Sequence, residues 1–176
     1  MKTELLAPAG DIEAGYAALF YGADAVYLGL QQFSARATAT NFSEENLNEF
    51  VGYAHHLGRK VYAAVNTLVQ EKELSDLLKS LDICSRCKVD AVILQDLGVA
   101  VLQKEGFSRV VVARELTQGE IKEIAAVPGL ETEAFIHGAL CYSYSGLCLF
   151  SSVETGRSAN RGKCLYPCRA NFTGEA

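Results

Sequence analysis

The stretch LLAPAGDIEAGYAALFYGADAVYLGL, residues 5–30, decides the fold class because it contains a complete strand, helix and strand. Its two ends, LLAP and AVYLGL, are short apolar runs typical of buried β-strands. Between them, Gly10 and Asp11 turn the chain into a helix over residues 12–21, which Asp11 can cap and Gly22 ends. Two strands joined by one helix predict a parallel pair.

The same alternation continues along the chain. A helix is predicted from Ser43 to Gly58 and another from Leu74 to Cys87, and further strands at residues 60–68, 91–96, 110–115 and 132–138. The fold class is therefore α/β, a TIM-barrel-like (β/α) barrel that is partial, with about six parallel strands. The barrel is expected over residues 1–138. Residues 139–176 are expected to form an irregular, cysteine-rich segment packed on the barrel's carboxyl-terminal rim, within one structural domain.

Composition limits the partners and the compartment. With 176 residues, a net charge of −5 and a pI near 5.2, the chain has no global attraction to a polyanion, so RNA contact requires a local patch. The one basic candidate is RGKCLYPCR, residues 161–169, with Arg157 just before it. No apolar run is long enough to span a bilayer, and residues 1–11 do not read as a signal peptide. A cytoplasmic protein with reduced thiols, and without membrane contact, is expected.

Polar residues follow most of the predicted strands, at the edge where parallel α/β proteins bind ligands. The predicted catalytic set is His137, Glu115 and Arg114. Glu115 would stabilise protonated His137 for proton delivery, and Arg114 would hold a carboxylate or phosphate through two contacts. The alternative is a rim salt bridge between Arg114 and Glu115, with His137 merely capping its strand. The predicted substrate-binding residues are Arg36, Asn41, Asn66, Gln95 and Arg161, although a solvated loop explains Arg36 equally well from position alone.

Four of the six cysteines, Cys141, Cys148, Cys164 and Cys168, lie within residues 131–169. Such clustering indicates ligands for zinc or an iron–sulfur cluster rather than disulfides, but the irregular spacing does not choose the metal. The remaining pair, Cys84 and Cys87, ends a predicted helix. This CxxC has two interpretations: a redox or metal role, or two small apolar residues buried on the apolar face of the helix. The second interpretation is favoured.

The phrases EAFIHGALCYSYSGLCLFSS and GRSANRGKCLYPCR, at residues 133–152 and 156–169, resemble the peptidase U32, or collagenase-like protease, family. LLAPAGD, FSARATATNFS, LQDLGV and VVVARELT agree with it in the same order. The FSARA match favours a functional Arg36. The resemblance implies a 4Fe–4S cluster bound by Cys141, Cys148 and Cys164, with Cys168 as the local fourth ligand. Zinc is the structural alternative.

Several relatives in that family are iron–sulfur proteins needed to hydroxylate a tRNA uridine, a ribosomal RNA cytidine or the ubiquinone ring without oxygen. The resemblance therefore implies RNA, a quinone ring or a small carboxylate such as prephenate as substrate. A U32 peptidase is the first alternative, although only His137 and Cys141 offer a base and a nucleophile, and no GxSxG or HExxH is present. The second alternative is a non-catalytic partner subunit that carries zinc or a cluster. The sequence therefore does not decide whether the chain is an enzyme.

The resemblance also indicates an absent unit. Longer relatives carry another strand, with a His-Ala-Ser-Thr-Gln phrase, between the counterparts of LQDLGVAVL and GFSRVVVARE, residues 94–102 and 106–115. The chain is therefore expected to be a fragment or an internally shortened form. Open strand edges in such a form predict a homo- or hetero-oligomer.

Overall fold

The first strand, helix and strand begin a parallel sheet in a computed structural model that describes residues 3–34, 40–67, 69–94, 109–129, 131–138 and 140–172. Strand β1, Leu6–Ala9, precedes helix α1, Ile12–Phe20, and strand β2, Ala25–Gly29. Asp11 caps α1, since its Oδ1 accepts the Ala14 N–H at 2.8 Å. Gly22, with φ of 101°, ends the helix in a conformation that glycine adopts without strain.

Two more units extend this sheet in the order β1-β2-β3-β4, with every neighbouring pair parallel. They consist of helix α2, Glu44–His56, strand β3, Lys60–Val65, helix α3, Leu74–Arg86, and strand β4, Ala91–Leu94. Ser43 caps α2 by accepting the Asn46 N–H at 3.2 Å. The core joins the sheet to the helices through fully buried apolar side chains: Val26, Leu28, Phe42, Leu47, Phe50 and Val61.

The second half forms a smaller sheet. Strand β5, Arg109–Val111, pairs in parallel with strand β6, Glu131–Glu133. Helix α4, Gln118–Ala125, connects the two strands in the sequence. Helix α5, Phe150–Thr155, and the 3-10 turns Ala159–Arg161 and Pro167–Arg169 follow. The described residues contain the six predicted parallel strands, in an α/β arrangement that they do not close into a barrel. The fold class is thus confirmed, with the strands in sheets of four and two.

Arg109 joins the two sheets. Its guanidinium donates to Glu4 at 3.0 Å, pairs with Glu131 at 2.7 Å and lies 5.2 Å from the Tyr62 ring centroid. The Tyr62 hydroxyl also donates to Glu4 at 2.8 Å, although β1 and β3 are separated by β2. Side chains from alternate strands therefore meet on one face, the arrangement that fills the interior of a (β/α) barrel.

Two aspartates, Asp24 and Asp90, make equivalent hydrogen bonds to the first sheet. Asp24 donates its N–H to the Leu5 carbonyl at 2.9 Å, and its carboxylate accepts the Leu5 N–H at 3.1 Å. Asp90 exchanges the same two bonds with Val61, at 2.9 and 2.7 Å. Each carboxylate also binds a cationic or imidazole side chain, Arg59 for Asp24 and His55 for Asp90. The DAV runs that begin β2 and β4 are therefore a structural repeat.

The later strands end sooner than predicted. β5 stops at Val111 and β6 at Glu133, rather than at residues 115 and 138. The chain turns after β5, where the Leu116 N–H donates to the Ala113 carbonyl, and Thr117 then caps α4 in a reciprocal capping box with Glu120. Arg114 and Glu115 thus lie in a turn rather than on a strand.

Helices α4 and α5 were not predicted individually. Among the described residues no helix has the length and apolarity needed to cross a membrane.

Cys84 and Cys87 belong to the apolar core, as the favoured interpretation predicts. Both are free thiols and nearly inaccessible to solvent. Burial, with the nearby Cys87 thiol as a second cause, raises the pKa of Cys84 to about 11. Such a thiol is neutral at physiological pH and unreactive while the protein is folded.

Candidate metal centre

Arg114 reaches from the β5–α4 turn to the cysteine-rich segment. Its Nη1 donates to the Cys141 carbonyl at 2.7 Å, and its Nη2 donates to the Ser143 carbonyl at 2.9 Å. Nη2 also lies 3.4 Å from the Ser145 hydroxyl oxygen. The two arms of the guanidinium are therefore occupied by backbone carbonyls of the same loop.

Glu115 binds the other end of that loop. Its Oε1 accepts the Ser145 N–H at 3.0 Å and the Ser145 hydroxyl at 3.2 Å, and lies 3.6 Å from Arg114 Nη2. The Ser145 N–H is the main cause that holds the pKa of Glu115 below its ordinary value. The predicted rim salt bridge is present, and both of its members also hold the cysteine-rich segment.

Cys148 lies just before helix α5 in a setting that favours the thiolate. The Ser143 hydroxyl is the largest cause of a lowered pKa, followed by the N–H groups of Phe150 and Ser151. Cys164 also receives a backbone donor, because the Tyr166 N–H lies 3.3 Å from its sulfur atom. Hydrogen bonds to cysteine sulfur are a typical feature of iron–sulfur sites.

A second contact docks the segment on the rim. Arg161 Nη2 donates to Glu73 Oε1 at 2.6 Å, just before α3 and beyond the carboxyl end of β3. Its Nε is buried and has no partner among the described atoms. Arg161, predicted to bind substrate, therefore holds the cysteine-rich segment against the first sheet.

The donor set suits an iron–sulfur cluster, since four cysteine sulfurs lie on one segment and two receive hydrogen bonds. Cys141 and Cys168 are exposed, while Cys148 and Cys164 are half-buried. Within the described part of the chain, however, no three Cys, His, Asp or Glu side chains converge to hold a metal. Metal binding would therefore have to draw the segment together, as happens where folding and metal binding are coupled.

The other predicted site residues fall in different settings. His137 is exposed, four residues beyond β6, and has no hydrogen-bond partner among the described residues. Asn41 is buried, with φ of 54°, and its N–H donates to the Gly10 carbonyl at the end of β1. Asn66 directly follows β3 and is half-buried. Arg36 and Gln95 lie outside the described residues.

Sequence reasoning missed the residues that hold the segment in place. Ser143 and Ser145 bind Arg114, Glu115 and Cys148, and Glu73 binds Arg161 across 88 positions. No spacing in the sequence indicates the pairing with Glu73. The two serines alternate with tyrosines in CYSYS, residues 141–145, a period of two that is typical of a strand, whereas the structure has neither strand nor helix there.

Comparisons with known proteins identify relatives of this chain. An uncharacterized protease of Methanocaldococcus jannaschii is 42% identical to it, over 98% of this chain and 49% of that protein. A 23S rRNA 5-hydroxycytidine synthase of Escherichia coli is 37% identical, over 98% of this chain and 30% of that protein. The tRNA hydroxylation protein P of Escherichia coli is 36% identical, over 97% of this chain and 44% of that protein.

The chain spans half or less of the length of these relatives. The alignment with the archaeal relative runs over 201 positions, 25 more than the 176 residues of the chain, so that relative contains positions without a counterpart here. The model of peptidase family U32 matches residues 10–105 and 98–175, two matches that meet close to the predicted absent strand. Because these matches cover nearly every residue, the chain belongs to peptidase family U32.

Proposed function

We propose that this chain is an iron–sulfur protein of family U32 that acts in the oxygen-independent hydroxylation of RNA. The observation that carries the proposal is a basic, cysteine-rich segment fastened to the rim of the strands by Arg114, Glu115 and Arg161. The relatives named for tRNA and ribosomal RNA hydroxylation, which this chain matches over 97–98% of its length, support the choice of RNA. An RNA substrate suits the expected cytoplasmic location.

Cys141, Cys148 and Cys164 would hold the cluster, with Cys168 as the local fourth ligand. If only the first three bind, the cluster would supply an iron atom open to substrate and able to exchange electrons with it. Within the chain, Ser143 and the N–H groups that follow Cys148 stabilise its thiolate, the form that binds metal. A small hydroxylated carboxylate, of which prephenate is an example, would exchange its hydroxyl group for the hydrogen of the base, so that the base is oxidised and the carboxylate is reduced by the same two electrons.

Charge is distributed so that RNA would meet a basic surface. The cysteine-rich segment, residues 139–176, contains four basic and two acidic residues, although the whole chain has a net charge of −5. Arg157, Lys163 and Arg169 are exposed, and the Arg169 guanidinium lies 5.2 Å from the centroid of the half-exposed Tyr166 ring. Exposed cations beside an aromatic face suit the phosphates and unstacked bases of single-stranded RNA.

The geometry gives less support to a peptidase. His137 and Cys141 are the formal base and nucleophile, but no hydrogen bond joins them in the described part of the chain. The Cys141 carbonyl is bound by Arg114, and its sulfur is assigned to the metal in this proposal.

Nucleoside mass spectrometry tests the proposed function. The chain would be expressed in a bacterial strain from which the host's own U32 proteins have been deleted, and tRNA and ribosomal RNA would be digested to nucleosides. We expect hydroxylated pyrimidines to return in cells grown without oxygen, and not with a Cys148→Ala variant. Unmodified RNA together with cleavage of gelatin by the purified chain would favour the peptidase instead.

A further inference from the structure

We propose that Arg114 and Glu115 are positioning residues that fix the loop 141–146, and through it the spacing of Cys141 and Cys148. The inference rests on the proposed function, because it assigns these cysteines to a metal. It replaces the predicted roles of Arg114 in anchoring an anionic ligand and of Glu115 in assisting His137.

Both arms of the Arg114 guanidinium are already bound. A guanidinium offers a planar fork of donors, and both arms here bind carbonyls of one loop, at Cys141 and Ser143. The Arg114 side chain is about 20% exposed, so little of it faces solvent. A substrate carboxylate would have to displace these loop carbonyls to form the same two-armed contact.

Ser145 binds the pair at the opposite end of the loop. Ser145 donates both its N–H and its hydroxyl to Glu115, while its hydroxyl oxygen also lies within reach of Arg114. Arg114 thus binds carbonyls of the loop, and Glu115 binds one of its N–H groups. Because the loop has no strand or helix of its own, these two side chains satisfy backbone groups that secondary structure would otherwise pair.

The turn that carries Arg114 and Glu115 is itself held by hydrogen bonds on both sides. Arg114 and Glu115 lie between the Val112 N–H, which donates to the Glu133 carbonyl at 2.9 Å, and the capping box of α4. The turn can therefore hold the loop in place, although the loop's own tyrosines, Tyr142 and Tyr144, are exposed and do not anchor it in the core. The pair therefore holds the backbone at Cys141 and at Ser143, whose hydroxyl donates to the Cys148 sulfur.

Hydrogen exchange on the metal-free protein tests the contact without any cluster. Among the described residues, Ser145 carries the one N–H of residues 141–146 that has an acceptor, Glu115. In Arg114→Met we expect the Ser145 amide to exchange about tenfold faster than in wild type, because the charged hydrogen bonds that hold the loop beside Glu115 are lost. Amides of β1–β4 should be unchanged, which shows that the variant is folded. Arg157→Met is the matched control, since its side chain makes no hydrogen bond to this loop among the described residues.

The electron paramagnetic resonance spectrum of anaerobically reconstituted protein tests the positioning role. Arg114→Lys keeps the charge and loses the fork, so we expect iron content to fall and the spectrum per bound iron to change, with Glu115→Gln showing a smaller change. A role in stability alone would lower the melting temperature without altering that spectrum. Two results would overturn the inference: unchanged exchange of the Ser145 amide in Arg114→Met, or a wild-type spectrum and iron content in Arg114→Lys.

If the wild-type chain binds no iron, the proposed function fails, while the exchange experiment still decides whether Arg114 and Glu115 hold the loop. If Arg114→Met does not fold, the exchange rates of Arg114→Lys and Glu115→Gln decide the same question.

Discussion

Gly29, at the carboxyl end of β2, is a position where a single methyl group has no room. A Cβ there would lie 2.4 Å from the Ser34 hydroxyl oxygen and 2.8 Å from the Asn41 side-chain oxygen. Ser34 and Asn41 are both buried, so neither can move into solvent without disrupting the loop that returns to the sheet. A buried asparagine at the rim thus has a packing role that its position in the sequence does not reveal.

We predict that Gly29→Ala lowers the free energy of unfolding by about 1–3 kcal/mol, since overpacking displaces both polar side chains. Gly52→Ala is the matched control, because nothing lies within 4 Å of a Cβ at that exposed position in α2. There alanine should stabilise the helix by about 0.5–1 kcal/mol. Urea unfolding of both variants measures the difference, and equal midpoints would contradict the packing argument.

At the scale of an element, the start of each DAV strand is held by an aspartate. Asp90 binds the Val61 N–H and His55 together, so removing its carboxylate leaves a part-buried backbone donor without its partner. We predict that Asp90→Ala costs about 1–3 kcal/mol in thermal unfolding. Asp82→Ala removes an exposed i,i+4 pair with Arg86 in α3 and should change stability by less than about 0.5 kcal/mol. A similar loss of stability in Asp90→Ala and Asp82→Ala would contradict the special role of Asp90.

These elements also show how far the sequence predicts the molecule. The first sheet follows from local signals, because the alternating apolar runs, the caps at Asp11 and Ser43 and the glycines that end helices all lie within a few residues of their effects. His55 shows the limit, since its acidic partner lies 35 positions away and not on its own helix. Strand β5 ends before Arg114 and Glu115, which bind the cysteine-rich segment, and such a tertiary contact leaves no trace in the periodicity of the sequence.

The candidate site shows the same division. Residue type and clustering single out the four cysteines, Arg114 and Glu115 from the sequence alone. What Arg114 and Glu115 contact depends on the path of residues 141–146, and that path has no local pattern to predict it. The roles assigned to His137, Arg36 and Gln95 stay predictions.

For the whole molecule, the ionic contacts between the two sheets predict a pH dependence. Burial would raise the pKa of Glu4, but hydrogen bonds from Tyr62, Lys60 and Arg109 outweigh burial and hold that pKa below its ordinary value of 4.5. A carboxylate whose pKa is lowered by folding adds stability above its unfolded value and loses it as the pH falls.

We therefore expect Glu4→Gln to lower the melting temperature at pH 7, and the gap from wild type to shrink as the pH falls below about 4.5. A gap that is constant from pH 7 to pH 3 would contradict the assignment.

The open sheets predict self-association or a partner. Parallel sheets are normally covered on both faces, and the four- and two-stranded sheets leave edges uncovered by other described strands. Light scattering on the purified chain should give a mass above 19.0 kDa. A monodisperse species of 19.0 kDa with cooperative melting would show that the chain covers its own edges.

The central claim is that the cysteine-rich segment binds an iron–sulfur cluster, and the iron and sulfide content after anaerobic reconstitution tests it most directly. The wild-type chain should be brown, with about four iron and four sulfide per chain. Cys141→Ala, Cys148→Ala and Cys164→Ala should each abolish binding, while Cys84→Ala and Cys87→Ala should keep it, because those thiols belong to the core. A colourless protein with one zinc, or loss of iron from Cys84→Ala with retention in Cys148→Ala, would contradict the claim.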